Sequence, residues 1–160
     1  MIKRFLALAL MCAALLLGTT APAFAADLSI TAASVAKGAN AVVVHGTAGA
    51  TITAGQAVYF DSAAGTWKLA DDNSATAAAR SPKGFALNGA ASGQPLTVHK
   101  SGNITIGATL TAGVAYYLSD TPGGICPVAD LATGEYPTIV GIATSTTVLK
   151  VQFLESGVAL

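Results

Sequence analysis

The sequence predicts an all-β protein, a compact barrel or sandwich made of two pseudo-symmetric β-units of about 57 residues each. Three observations predict it. Short alternating or β-branched runs, separated by Gly, Pro, Asp and Ser turns, recur from residue 41 onward. Helical periodicity is hard to find after the first 25 residues. The order of elements in one half returns in the other.

The elements follow in chain order. Ala41-Val42-Val43-Val44 is a β-branched run ended by Gly46. Gln56 to Asp61 and Thr66 to Leu69 flank Asp61-Ser62-Ala63-Ala64-Gly65, a hairpin pattern. Ser74 to Arg80 is alanine-rich and suits a short helix or a loop, since Asp71-Asp72-Asn73 and Pro82 bound it. Leu96 to His99 alternates and stops at Ser101-Gly102. Ile104-Thr105-Ile106 alternates and stops at Gly107. Val114 to Leu118 precedes the turn signal Asp120-Thr121-Pro122-Gly123-Gly124. Val148 to Phe153 alternates and ends near Gly157.

The repeat spans about 50–102 and 108–157. Ala50-Thr51-Ile52-Thr53-Ala54-Gly55 matches Ala108-Thr109-Leu110-Thr111-Ala112-Gly113. A strand with an aromatic pair follows each, Tyr59-Phe60 and Tyr116-Tyr117, and then an Asp turn at Asp61 and Asp120. Lys83-Gly84-Phe85-Ala86-Leu87 matches Val140-Gly141-Ile142-Ala143-Thr144. The return strand from Leu96 matches that from Leu149. One such unit leaves an apolar face and open edges, so two units are expected to cover each other's faces and pair those edges.

Residues 1–25 read as a signal peptide or N-terminal anchor: Lys3 and Arg4, an apolar run from Phe5 to Leu17, then Ala23-Phe24-Ala25. The run is short for a stable membrane span. Residues 26–160 then form a single all-β domain, long enough for a core without staples. That domain holds six basic and eight acidic residues, a balance that attracts no nucleic acid. Charged residues are only 10% of the chain, so the surface repels itself weakly and favours close association, including homo-oligomers. Cys126 is the one cysteine after the leader and reads as a buried small hydrophobe.

No catalytic constellation is present. The chain lacks a Gly-x-Ser-x-Gly elbow, a phosphate loop, and Cys-x-x-Cys or His-Glu-x-x-His spacing. An enzyme is therefore not expected, and neither is a cofactor or a metal. His45 and His99 read as strand residues. Asp71-Asp72-Asn73 is the densest set of oxygen ligands, but it suits a loop turn. The candidate ligand or interface residues are Trp67, Tyr59, Tyr116 and Tyr117. Trp67 reads as a core aromatic that, if exposed, would stack on a sugar.

Three stretches carry a family resemblance: Thr53-Ala54-Gly55-Gln56-Ala57-Val58-Tyr59, Lys83-Gly84-Phe85-Ala86-Leu87, and Ala90-Ala91-Ser92-Gly93-Gln94-Pro95-Leu96-Thr97-Val98. Over about residues 47–157 the chain resembles small β-rich bacteriophage head decoration or capsid cement proteins, and similar modules of phage head fibres. The resemblance implies a structural protein that sits on capsid subunits and stabilises the shell, often as an oligomer. It transfers no catalytic residue. The leader departs from that pattern. It implies instead an exported surface or extracellular protein that self-assembles or adheres. A secreted carbohydrate-binding module is the third expectation, resting on Trp67 and the tyrosines.

Overall fold

A computed structural model describes residues 26–160; the expected leader, residues 1–25, lies outside them. The described residues are almost entirely β. The strands are β1 (Ala36–Lys37), β2 (Val42–Thr47), β3 (Ala57–Asp61), β4 (Thr66–Leu69), β5 (Gly84–Ala86), β6 (Pro95–Thr105), β7 (Ala115–Leu118), β8 (Ile125–Pro127), β9 (Thr138–Ala143) and β10 (Val148–Glu155). They form one curled antiparallel sheet in the order β4-β3-β5-β6-β10-β9-β7-β8, with β1 and β2 on the second edge of β6.

That order is a palindrome. β4, β3, β5 and β6 of the first unit correspond to β8, β7, β9 and β10 of the second, and β6 meets β10 antiparallel at the centre. The backbone repeats the match bond for bond. Gly55 N–H donates to Ala86 O and Ala86 N–H to Gln56 O; Gly113 N–H donates to Ala143 O and Ala143 N–H to Val114 O. Gly84 and Gly141 hold equivalent places for one reason. A Cβ at Gly84 would overlap the Val98 side chain and sit 2.7 Å from His99 O. At Gly141 it would sit 2.7 Å from both Leu149 Cγ and Lys150 O.

The ladders adjust the expected alignment. Ala86 pairs with Val98 and Ala143 with Leu149, so Leu149 corresponds to Val98, two residues beyond Leu96. Val58 pairs with Gly84 and Tyr116 with Gly141. Tyr116 therefore matches Val58, and Tyr117 matches Tyr59; the two aromatic pairs are offset by one. A shift of two keeps every side chain on its face, whereas a shift of one reverses it.

A recurring turn explains the Gly-Gln motif. In Thr53-Ala54-Gly55-Gln56 the Gln56 side chain accepts the Thr53 N–H at 2.7 Å. Gln94 accepts Ala91 N–H at 2.8 Å, and Glu135 accepts Ala132 N–H at 2.7 Å. The preceding glycines lie at φ +92, +83 and +98, which only glycine adopts without strain. The motif is thus a turn device, and in the remaining copy Val114 drops the side-chain bond.

One open alternative is resolved and one expectation changes. Residues 74–80 form successive turns rather than a helix, closed by Ala79 N–H to Thr76 O and Arg80 N–H to Ala77 O. Ser101-Gly102 does not end a strand: β6 runs through it, with a register shift against β2 and Gly102 at φ +92. That bulge inserts one extra residue and reverses the alternation. Val98 before it enters one core, and Ile104 after it enters the other.

The reversal sets how the units pack. A smaller core of Ile52, Val58, Trp67, Ala86, Leu96 and Val98 fills the first unit, which is bridged by the contact of Ala48 with Trp67. The larger core joins Ala57, Tyr59 and Phe85 from the opposite face of the first unit to Tyr116, Leu118, Ile125, Val140, Ala143 and Leu149 of the second. The mutual covering expected from the repeat is therefore one-sided. The second unit lays one face on the back of the first, and its own back has no cover among the described residues.

Candidate functional site

The uncovered back of the second unit is an apolar row set by register. Tyr117 pairs with Ile139, and Ile139 with Leu154, across β7, β9 and β10. These side chains line a shallow groove with Pro137, Glu155 and Ser156, of about 340 Å³. A second row beside it runs Ala115–Ile142–Lys150. Leu154 is 59% exposed and Ile142 41%. Leu154 and Ile142 keep much of their apolar area in water, which full burial would have removed. In the first unit the equivalent of Ile142 is Phe85, which is fully buried.

The four candidate residues fall into different places. Trp67 is 6% exposed, lies in the small core, and meets Phe60 edge-on with ring centres 5.3 Å apart. A Cβ at Gly46 would strike its Nε1 at 2.6 Å, so Gly46 is small to admit the indole. Tyr59 and Tyr116 are buried in the large core, and the Tyr116 hydroxyl accepts the Thr111 N–H at 2.9 Å. These three offer no free ring face. Tyr117 alone reaches the surface, in the apolar row.

A second groove, of about 480 Å³, runs along Val44, His45, Phe60, Trp67, Lys83 and Lys100. Phe60, 45% exposed, is its open aromatic. His45 Nδ1 lies 3.2 Å from Thr97 Oγ1. His99 is buried, with Nε2 3.1 Å from Asn103 O and Nδ1 without a partner; burial pushes its pKa down.

Asp61 serves its turn, accepting the Ala63 and Ala64 N–H groups, and pairs with Lys68 at 2.7 Å. Its counterpart by register is Ser119, which accepts Thr121 N–H; the turn role expected of Asp120 belongs to Ser119. Asp71 accepts Asn73 N–H, as a loop turn requires. Asp72 does not: it is fully buried. Cys126 is also buried, its thiol donating to Leu118 O at 3.6 Å, and burial pushes its pKa well up. Among the described residues, no helix is long and apolar enough to cross a membrane.

No protein-family model matches the chain, and no curated protein matches it.

Proposed function

We propose that this chain is a non-enzymatic structural protein that assembles through the back of its second β-unit, in the manner of a phage capsid decoration module. One observation carries the reading. Positions equivalent by register are buried in the first unit and exposed in the second, Phe85 against Ile142. A β-sheet face of this kind, with Tyr117, Ile139 and Leu154 in one row, suits another apolar sheet surface rather than a small polar substrate. Both histidines are held by local contacts, which also supports a structural role.

Sedimentation velocity tests the proposal. The wild-type chain is expected to sediment as an oligomer or to co-sediment with assembled capsid shells. Leu154→Lys, an exposed substitution that leaves the thermal transition in place, is expected to abolish both. A wild-type chain that stays monomeric and ignores shells at high micromolar concentration would overturn the proposal.

The exported self-assembling reading uses the same face and differs only in location. Recovery of a leader-free chain outside the cytoplasm would favour it. The carbohydrate-binding reading has one support, exposed Phe60 over the Lys83–Lys100 groove, since the Trp67 ring is buried.

A further inference from the structure

The acidic residues are distributed unevenly. Of the eight, Asp61 and Glu155 have lysine partners, Lys68 and Lys83. The other six, Asp27, Asp71, Asp72, Asp120, Asp130 and Glu135, have no cation within ion-pair distance among the described residues. Glu135, Asp120, Asp71 and Asp27 all lie close enough to Asp72 to disfavour its charge, as Asp27 and Asp120 do for Asp130. Separate segments bring them there. Asp27 lies at the start of the described residues, where Leu28 N–H donates to Ile125 O. Asp120 lies in the β7–β8 turn, and Asp130 in the 3-10 turn after β8. Asp72 is tied in through its N–H to Ser119 O and its own carbonyl, which accepts Tyr136 N–H.

Like charges gathered from distant segments disfavour one another's ionisation unless a proton or a cation compensates them. Among these acids Asp72 is 0% exposed, and neither of its carboxylate oxygens has a hydrogen-bond partner. Asp27 Oδ1 is a second buried oxygen without one. A buried carboxylate with no donor is strongly disfavoured unless it is neutralised. Glu135 adds an independent sign. Its side chain caps the Ala132–Glu135 turn as Gln56 and Gln94 cap theirs, and a neutral amide suffices in those two. The turn does not ask for the charge, yet the carboxylate is placed beside Asp72.

We infer that Asp27 and Asp130, with Asp72, Glu135 and Asp120 gathered around them, form a binding site for a hard divalent cation, of which calcium fits best. The donors are oxygens. Donor atoms of Asp27, Asp130 and Cys126 all lie within 4.8 Å of one another. The buried Cys126 thiol is turned to Leu118 O, its hydrogen-bond acceptor at 3.6 Å, so it walls the site beside the carboxylates. Calcium accepts irregular sets of six to eight oxygens, as carboxylates on several loops provide. Bound there, the ion ties the N-terminal arm, the β7–β8 turn and the 128–135 loop to the end of β4. The site is remote from the Leu154 row in chemistry and stands whether or not that row is an assembly surface.

Thermal unfolding of the full chain stripped with EDTA, with and without calcium chloride, tests the inference, together with tyrosine-sensitised terbium luminescence. Calcium at about a hundred times its Kd is expected to raise Tm by about 5 °C or more. Terbium is expected to light up and to be displaced by calcium. Asp72→Asn and Glu135→Gln are expected to weaken calcium binding at least tenfold. Glu135→Gln keeps its turn cap, so it folds even if Asp72→Asn does not. Asp61→Asn, outside the cluster, is expected to leave the calcium response intact. No calcium shift and no terbium signal from the wild type would overturn the inference. So would a response to zinc alone that Cys126→Ser removes, or undiminished calcium affinity in Glu135→Gln.

Discussion

The two β-units share their hydrogen-bond pattern and differ in what covers them. In the first, both faces are buried: Val58, Ala86 and Val98 turn into a small core closed by β2, and Ala57, Tyr59 and Phe85 turn into the interface between units. In the second, only the face with Tyr116, Ala143 and Leu149 is buried. The face with Tyr117, Ile139, Ile142 and Leu154 meets water. A repeat therefore specifies local geometry, such as the Gly84 and Gly141 close approaches, more tightly than it specifies burial. One bulge in β6 was enough to break the reciprocity, because it sends side chains after Gly102 to the opposite face.

Truncating equivalent positions separates the two units by the largest margin. Phe85→Ala is expected to cost about 3–5 kcal/mol, as large core truncations do. Ile142→Ala, at the same place in the other ladder, is expected to stay within about 0.5 kcal/mol in the monomer. Chemical denaturation of both variants measures the difference. Equal losses would mean that the second unit's back is covered within the chain.

The shared geometry is tested by adding one methyl. Gly84→Ala and Gly141→Ala are each expected to destabilise by about 1–3 kcal/mol, since both would press on a neighbouring strand's carbonyl. A large loss at one and none at the other would contradict the equivalence of β5 and β9.

A smaller effect separates His99 from its counterpart Lys150, which is exposed. Burial holds the folded pKa of His99 below its ordinary value, so the folded state binds the proton less readily than the unfolded chain. Its contribution to stability is complete above about pH 6.5 and is lost as pH falls through the lower folded value. The difference in unfolding free energy between wild type and His99→Gln, followed from pH 7.5 to 5, is expected to shift against the wild type on acidification. Lys150→Gln is expected to show no such trend in that range.

The local elements were the legible part of the sequence. The β3–β4 hairpin, bounded by Asp61 and Gly65, matches its reading closely, because the turn residues bond their own backbone. Gly-Phe-Ala and Gly-Ile-Ala were readable as strands for their glycine and period. The continuity of β6 was not, since Ser-Gly marks a bulge as readily as an end. The two-residue strand β1 and the Pro-containing β8 carry almost no periodic signal. Of the candidate residues, tyrosine identity alone could not separate Tyr117 from Tyr59 and Tyr116; only register does. Asp72 was visible as an acid in a loop, but its burial depends on contacts with Ser119 and Tyr136, far along the chain.

The central claim is that the back of the second unit becomes covered on assembly while the first unit is already complete. Amide hydrogen exchange at low and high protein concentration, or with and without capsid shells, addresses it strand by strand. Protection is expected to rise in β7, β9 and β10 and to stay constant in β3 and β5. Unchanged exchange in β7, β9 and β10 under conditions where the protein demonstrably associates would contradict the account.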